Sequence, residues 1–305
     1  MKLHLLSAIA AAAMAVGTSA YAGPVIIDGT DSGDHGSFNG AVNVGGWQYM
    51  QRALENLGAA VNPLTARVVN VIGTSLGTGA AYNSINSAFA LSNLVAGGWS
   101  IVYHDGVAAI NAFMGGLSIA NTGILYLSTA GLVTGDMSQA ELAEVNANSG
   151  QINTFVSNAP GNAALGGALF AQGEAPSAIS FNWLSALIPG IAVTDVGAGG
   201  VNTPITLTPA GSAAFLGNLT NADVAGARPW HNYFSGNLGG LSVLGVAPDG
   251  TGASRNVILG GGVGTVFQCG QQGQPACPTP EPGSMLLVAT AGLALLGLRR
   301  RRQSK

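Results

Sequence analysis

The chain has 305 residues, enough for one large domain or two small ones with a proper core. Its 47 glycines follow no strict period, which excludes the fibrous classes, and 48% hydrophobic against only 8% charged residues excludes a disordered tail. The net charge of −3 understates the acidity of the body, because Lys2, Arg299–Arg302 and Lys305 lie in the terminal segments and leave only Arg52, Arg67, Arg228 and Arg255 between Gly23 and Pro278. That body has no basic patch for phosphates, so nucleic acid is excluded as a partner.

The first element is "MKLHLLSAIAAAAMAVGTSAYAG". Lys2 is a positive n-region, Leu5–Val16 an apolar run, and Ala20-Tyr21-Ala22 a small-x-small site. This predicts a secretory signal peptide over 1–22, cut after Ala22 by signal peptidase. "PVIID" then reads as a buried strand ending in an acid. In "GGWQYMQRALENLG", Trp47, Met50, Leu54 and Leu57 fall at helical spacing, with Gly58 as the stop. "RVVNVIG" is a second strand, "AAYNSINSAFALSNLVAGG" a helix, "WSIVYHDG" and "GILYLST" two more strands. The segment from Ser138 opens with a capping box, since Glu141 follows three residues later. "GGALFAQGE" reads as a strand and sharp turn, and "FNWLSALIPG" as a short helix. Strands alternating with helices predict one α/β domain, residues 23–266, with a mainly parallel sheet covered on both faces. No internal repeat and no convincing linker divides it.

Residues 267–279 form a Cys/Pro/Gly stalk. Cys269 and Cys277 are the only cysteines. In an exported chain they suit a local disulfide. Two free thiols are the alternative, and a zinc site lacks a second pair of ligands. The last segment is "PEPGSMLLVATAGLALLGLRRRRQSK". Ser284–Leu298 carries no charge and as a helix spans roughly 22 Å, short of a ~30 Å hydrocarbon core. Arg299, Arg300, Arg301 and Arg302 hold that end on the cytoplasmic side. The pattern suits a transient membrane helix over 284–298.

Pro280-Glu281-Pro282, an apolar helix and an arginine cluster, in that order over residues 280–305, resemble the PEP-CTERM sorting signal of Gram-negative bacteria. The resemblance implies passage through the inner membrane, cutting near the motif by exosortase, and release to the cell surface or extracellular matrix. The body loosely resembles the class I glutamine amidotransferase-like group, which implies a flavodoxin-like layout. This likeness rests on "DGTDSGDHG" after the first strand, on "FVSNAPGNAALGGALFAQGE", on the "NWL" helix, and on "LTPAGSAAFLGNLTNADVAGARPWHNYFSGNLGGLSVLG". In that group a cysteine nucleophile sits at the strand-to-helix elbow, where backbone N–H groups meet the oxyanion. The matching turn here, Ala171–Ala175, holds Gln172, Gly173 and Glu174, with no cysteine or serine. The resemblance therefore implies the fold without the amidotransferase chemistry. Gly173 is expected to take a backbone conformation that a side chain resists.

Other polar residues lie at expected strand ends. Asp28, Asp31, Asp34 and His35 share one loop, His104 and Asp105 end another strand, and Glu174 is at the elbow. In a parallel sheet such ends face one crevice. Converged there, His35, Asp105 and Glu174 are the candidates for acid–base catalysis, and Asp28, Asp31, Asp34, His104 and His231 for ligand binding. No cofactor motif is present. Calcium is the one cation the aspartates suggest, although their spacing of three is not that of an EF-hand. Taken singly, each residue also fits a turn or a packed imidazole. "ARPWHNYF" gathers Trp230, His231, Tyr233 and Phe234, which suit either core packing or stacking on an extracellular polysaccharide. Two functions follow: a non-catalytic exported binding module or pseudoenzyme, or a secreted hydrolase with a carboxylate and histidine crevice.

The exported protein is expected to begin at Gly23. Intact-mass analysis that still finds Met1 in the exported form contradicts the signal-peptide reading.

Overall fold

The computed structural model describes residues 23–61, 65–77, 79–128, 135–157, 166–173, 180–197, 199–214 and 220–261. Ala22, Glu174, Cys269, Cys277, Pro280, Glu281, Pro282, the 284–298 segment and Arg299–Arg302 lie outside the described residues. Among the described residues, no helix is long and apolar enough to cross a membrane.

The chain enters through β1 (Val25–Asp28), buried over its whole length. A small hairpin follows, β2 (Gly36–Asn39) with β3 (Val42–Gly45), which the sequence reading did not foresee. It leads into α1 (Gly46–Ala60). Tyr49, Met50, Ala53, Leu54 and Leu57 form the buried face of this helix, the stripe that a 3.6-residue period dictates. Gly58 does not end it. The helix runs on to Ala60, and Gly58 instead gives room to α3 (Asn93–Ala96), because a Cβ there would lie 2.3 Å from Leu94 Cδ2.

Next come β4 (Val68–Ile72) and α2 (Gly79–Ala90). The segment read as one helix over 80–98 is split at Ser92, whose hydroxyl accepts from the Leu94 amide at 3.3 Å and starts α3 afresh. β5 (Ser100–His104), α4 (Val107–Met114) and β6 (Ile124–Leu127) follow. The capping box forms as expected at α5 (Gln139–Ala147): the Ser138 amide donates to Glu141 Oε2 at 2.8 Å and the Glu141 amide to Ser138 Oγ at 3.3 Å. After α6 (Ser149–Ser157) the chain enters β7 (Ala168–Gln172), α7 (Leu184–Leu187) and β8 (Ile191–Asp195). It closes with β9 (Thr206–Leu207), α8 (Pro209–Ala214), α9 (Asn221–Ala225), β10 (Asn232–Gly236), β11 (Ser242–Pro248) and β12 (Ser254–Gly261).

The main sheet has 10 strands, and its path runs β5-β4-β6-β7-β1-β12-β10-β8, with β11 and β9 attached beside β12. From β5 to β1 every neighbour is parallel, and helices make the crossovers. This is the expected α/β arrangement. Beyond β1 the sheet continues antiparallel through β12, β10 and β8, an extension not anticipated from sequence. Beside it, β11 and β12 form a hairpin through the tight Asp249–Ala253 turn, and hairpin partners can only be antiparallel.

Alternate residues of the strands feed two cores. Ile26, Val69, Val71, Tyr126 and Phe170 pack with α1, α2, α3 and α9. Val25, Ile27, Leu125, Leu127 and Leu169 pack with α4, α5, α6 and α7. The result is three layers, helix–sheet–helix. From β4 the chain steps outward to β5, whereas from β6 it steps the other way to β7. The topological switch point, the usual ligand position, thus falls between the carboxyl ends of β4 and β6.

Leu54 is fully buried and Leu76 is 64% exposed. Leu54→Ala should cost about 2–5 kcal/mol in urea unfolding, and Leu76→Ala less than about 0.5 kcal/mol. Equal losses would contradict the packing described.

Candidate functional site

Asp28 ends β1 on the same face as Ile26, between the α1 residue Tyr49 and the β6 residue Tyr126. Its Oδ1 accepts from the Thr30 amide at 2.8 Å. Its Oδ2 accepts from Thr30 Oγ1 at 2.9 Å, Gln172 Nε2 at 3.1 Å and Ser32 Oγ at 3.2 Å. The Tyr126 hydroxyl donates to Gln172 Oε1 at 2.6 Å and extends the chain of bonds. Asp28 has zero exposure. Burial pushes its carboxyl up to about 6, against the pull of the bonds from Gln172, Thr30 and Ser32. Burial, and then the nearby charge of Asp28, also holds the Tyr49 phenol well above its usual value. This carboxylate is therefore committed to the interior and is not available to a ligand.

The loop beyond it turns toward the Arg228–Asn232 segment. The Asp31 amide donates to the Pro229 carbonyl at 2.9 Å, and Thr30 pairs with Trp230 as an isolated bridge. Asp31 is 4% exposed. Its Oδ2 lies 3.1 Å from His35 Nε2 and 3.8 Å from His231 Nε2, while its Oδ1 is buried without a partner. His231 Nδ1 lies 3.2 Å from the Gly197 carbonyl, which can only accept, so Nδ1 carries the proton. Asp34 stands beside this group. Burial, followed by the charge of Asp31, pushes its carboxyl up to about 6, with His35 and His231 pulling it down.

Asp31 thus holds His35, whose side chain is 48% exposed, at the rim of an open cleft of about 550 Å³. Val44, Asn202, Gly226, Arg228 and Pro229 share the lining, with no serine, threonine or cysteine among the described residues there. A buried carboxylate orienting an accessible imidazole is an arrangement that can position a base. Among the described residues, the cleft holds no side-chain nucleophile for that base to activate.

His104 and Asp105 do not join this group. They end β5, the far edge of the sheet, four strand spacings from β1, or about 19 Å at ~4.8 Å per strand. His104 Nε2 lies 2.8 Å from Asn70 Oδ1, and its ring stacks on Phe113 with centroids 3.9 Å apart. Burial holds its pKa below the usual value. It is a packed imidazole. Asp105 lies against Glu141: burial first, and then the charge of Glu141, raises the Asp105 carboxyl. For Glu141 burial pushes upward, but bonds from the Ser138 hydroxyl and the Ser138 and Gly106 amides outweigh it and lower the pKa. The expected convergence of His35 and Asp105 in one crevice is therefore corrected: the intervening strands β4, β6 and β7 separate them.

The switch point is also filled. Met137, 1% exposed, packs over Gly73 at the carboxyl end of β4, where a Cβ would lie 2.6 Å from Met137 Cγ. Gly173, expected to need an unusual backbone, is instead required by crowding, since a Cβ there would lie 2.1 Å from Phe181 Cε2 and 2.9 Å from Asn232 Oδ1. Among the described residues, no group of three or more His, Cys, Asp or Glu is arranged to hold a metal ion, and Asp28 bonds Thr30, Ser32 and Gln172 while Asp31 faces His35 and His231. Of the aromatic segment, Trp230 and Phe234 are core, as the packing alternative holds.

Sequence reasoning missed Tyr49, Tyr126 and Gln172 around Asp28, and Glu141 beside Asp105. No local motif marks them, because each is brought in from a different element. It also gave no role to Arg228, which has no hydrogen-bond or ion-pair partner among the described residues. No protein-family model, no curated protein and no solved structure matches the chain.

The raised Asp28 carboxyl has a pH consequence. Below about 3.8 it is protonated folded and unfolded. Between there and about 6 only the folded form keeps the proton, so its contribution to stability is lost as pH rises through that window. Asp28→Asn should therefore gain stability relative to the parent, by about 2 kcal/mol, between pH 4 and pH 7. Urea titrations at the two pH values check it, and an unchanged difference contradicts it.

Proposed function

We propose that the protein is an exported surface or extracellular-matrix protein that acts by binding. In this reading signal peptidase removes residues 1–22, the 284–298 helix holds the chain briefly in the inner membrane, and exosortase acts at Pro280-Glu281-Pro282. The α/β body is then a recognition module or pseudoenzyme, with extracellular polysaccharide as its partner class. The observation that carries the non-catalytic half is Met137 seated on Gly73, an apolar side chain in the crevice where an α/β enzyme holds its substrate. The strand order β5-β4-β6-β7-β1 supports a flavodoxin-like, amidotransferase-like descent, with β1 in the place of a fifth parallel strand. The residues at the end of β7, Gln172 and Gly173, supply no nucleophile.

One observation favours the second reading, a secreted hydrolase. The Asp31–His35 pair stands at an open cleft and could direct a water molecule. The two readings part in one experiment. Exported protein and its His35→Ala variant are incubated with matrix polysaccharide from the producing cells. Binding by both, without release of reducing sugar, is the expected result. Sugar release that His35→Ala abolishes would establish the hydrolase. In the same cells Glu281→Ala should leave the protein in the membrane fraction, and normal release of that variant contradicts the sorting half.

A further inference from the structure

A second pocket, of about 380 Å³, lies on the antiparallel side of the sheet. One wall is the turn into α7, with Ser180, Phe181 and Ser185. The floor is the edge of the sheet, with Val193, Asp195 and Asn232. Asn232 on β10 and Asp195 on β8 are direct cross-strand partners, so their side chains share a face. The wall is held firmly: Phe181 packs edge-on to Phe234 with centroids 5.4 Å apart, and the Trp183 amide donates to Asn146 Oδ1 at 2.9 Å.

Two buried polar atoms belonging to this pocket's residues have no partner. Asn232 is 1% exposed and its Oδ1 accepts nothing. Ser180 is 8% exposed and its Oγ is equally unbonded. Buried polar groups in a folded chain are nearly always paired, so two orphans in one pocket call for an external partner. Asp195 Oδ1 accepts from the Gly197 amide at 2.7 Å, and nothing among the described residues bonds its Oδ2. Among the described residues that line the pocket there is no lysine, arginine or histidine to attract an anion. Asp195 is the single carboxylate among them, too few for a divalent cation. What remains is a neutral ligand rich in hydroxyls, with C–H faces for Ile191 and Val193. The volume is toward the small end of ligand pockets (~300–1,000 Å³).

We infer that this pocket binds one neutral hexopyranose unit. Adjacent sugar hydroxyls donate to Asn232 Oδ1 and Asp195 Oδ2, the Ser180 hydroxyl bonds its ring side, and Ile191 and Val193 pack on its C–H face. The site is separate from the Asp31–His35 cleft. It rests on the binding-module reading above and gives that reading its ligand class.

The test uses the purified full chain with methyl glucopyranoside, methyl galactopyranoside and methyl mannopyranoside, followed by saturation-transfer NMR and calorimetry. Methyl glucuronide serves as the acidic comparison, and retention on dextran and galactomannan separates a free sugar from a polymer unit. The variants are Asn232→Leu, Ser180→Ala and Asp195→Asn, the last keeping an oxygen for Gly197. A neutral glycoside should bind, and Asn232→Leu and Ser180→Ala should each weaken it at least tenfold with Tm unchanged or raised, because neither removes a bonded side-chain group. If Asn232→Leu does not fold, Ser180→Ala and Asp195→Asn carry the test. Neutral glycoside binding that all variants leave intact overturns the pocket and leaves the binding module standing. Binding of the glucuronide alone overturns the neutral ligand class. No glycoside bound and no retention on matrix polysaccharide overturns both the pocket and the reading beneath it.

Discussion

The fold turns on β1. It is the seam between the parallel half, which it joins through β7, and the antiparallel half, which it joins through β12. A strand in that position is dry on both faces, yet β1 ends in a carboxylate. A buried charge is tolerated only when hydrogen bonds surround it. Thr30, Ser32 and Gln172 supply those bonds, and in doing so fix the first turn of the loop and the end of β7. The loop leaves β1 in one direction and delivers Asp31 to His35 and His231. The same bonds that make Asp28 unavailable to a ligand therefore also help to place the Asp31 carboxylate against His35 at the cleft rim.

That division explains which parts were legible in sequence. The parallel half was readable because each of its strands is a short apolar run followed by a helix with its own period. The α1 face and the Ser138 capping box are local patterns, and local patterns survive folding. Gly58 and Gly173 were misread for a common reason. A glycine can serve a turn, a strained backbone or a close neighbour, and only the fold shows that Leu94 and Phe181 are the neighbours. The antiparallel extension was hard to see because β10, β11 and β12 carry glycine and polar residues among their apolar ones. Ser242–Pro248, for example, shifts register at Gly245 where it pairs with β12.

The candidate site was legible as a list of residues but not as an arrangement. His35 and Asp105 look equivalent in sequence, each being a polar residue near the end of a strand run. Strand order then decides their chemistry, because β5 is an edge and β1 is the seam. Asp31 and His231 are 200 positions apart in the chain, and backbone bonds between the Gly29–Asp31 and Pro229–Asn232 segments bring them together.

The two ends of the sheet path face the same physical problem and solve it differently. An edge strand leaves backbone groups ready to pair with another chain. β5 is screened in part by α4, whose Phe113 covers His104. On β8, the turn into α7 lies over part of one face, and Thr194 and Asp195 keep its end polar. An arrangement that shields an edge while leaving Asn232 and Ser180 unbonded encloses space without filling it. At the switch point, by contrast, the apolar Met137 fills the space over Gly73, although the Thr74 hydroxyl beside it is buried without a partner. In this fold the space between α7 and the sheet thus lies beside the antiparallel extension, the part that the sequence disclosed least.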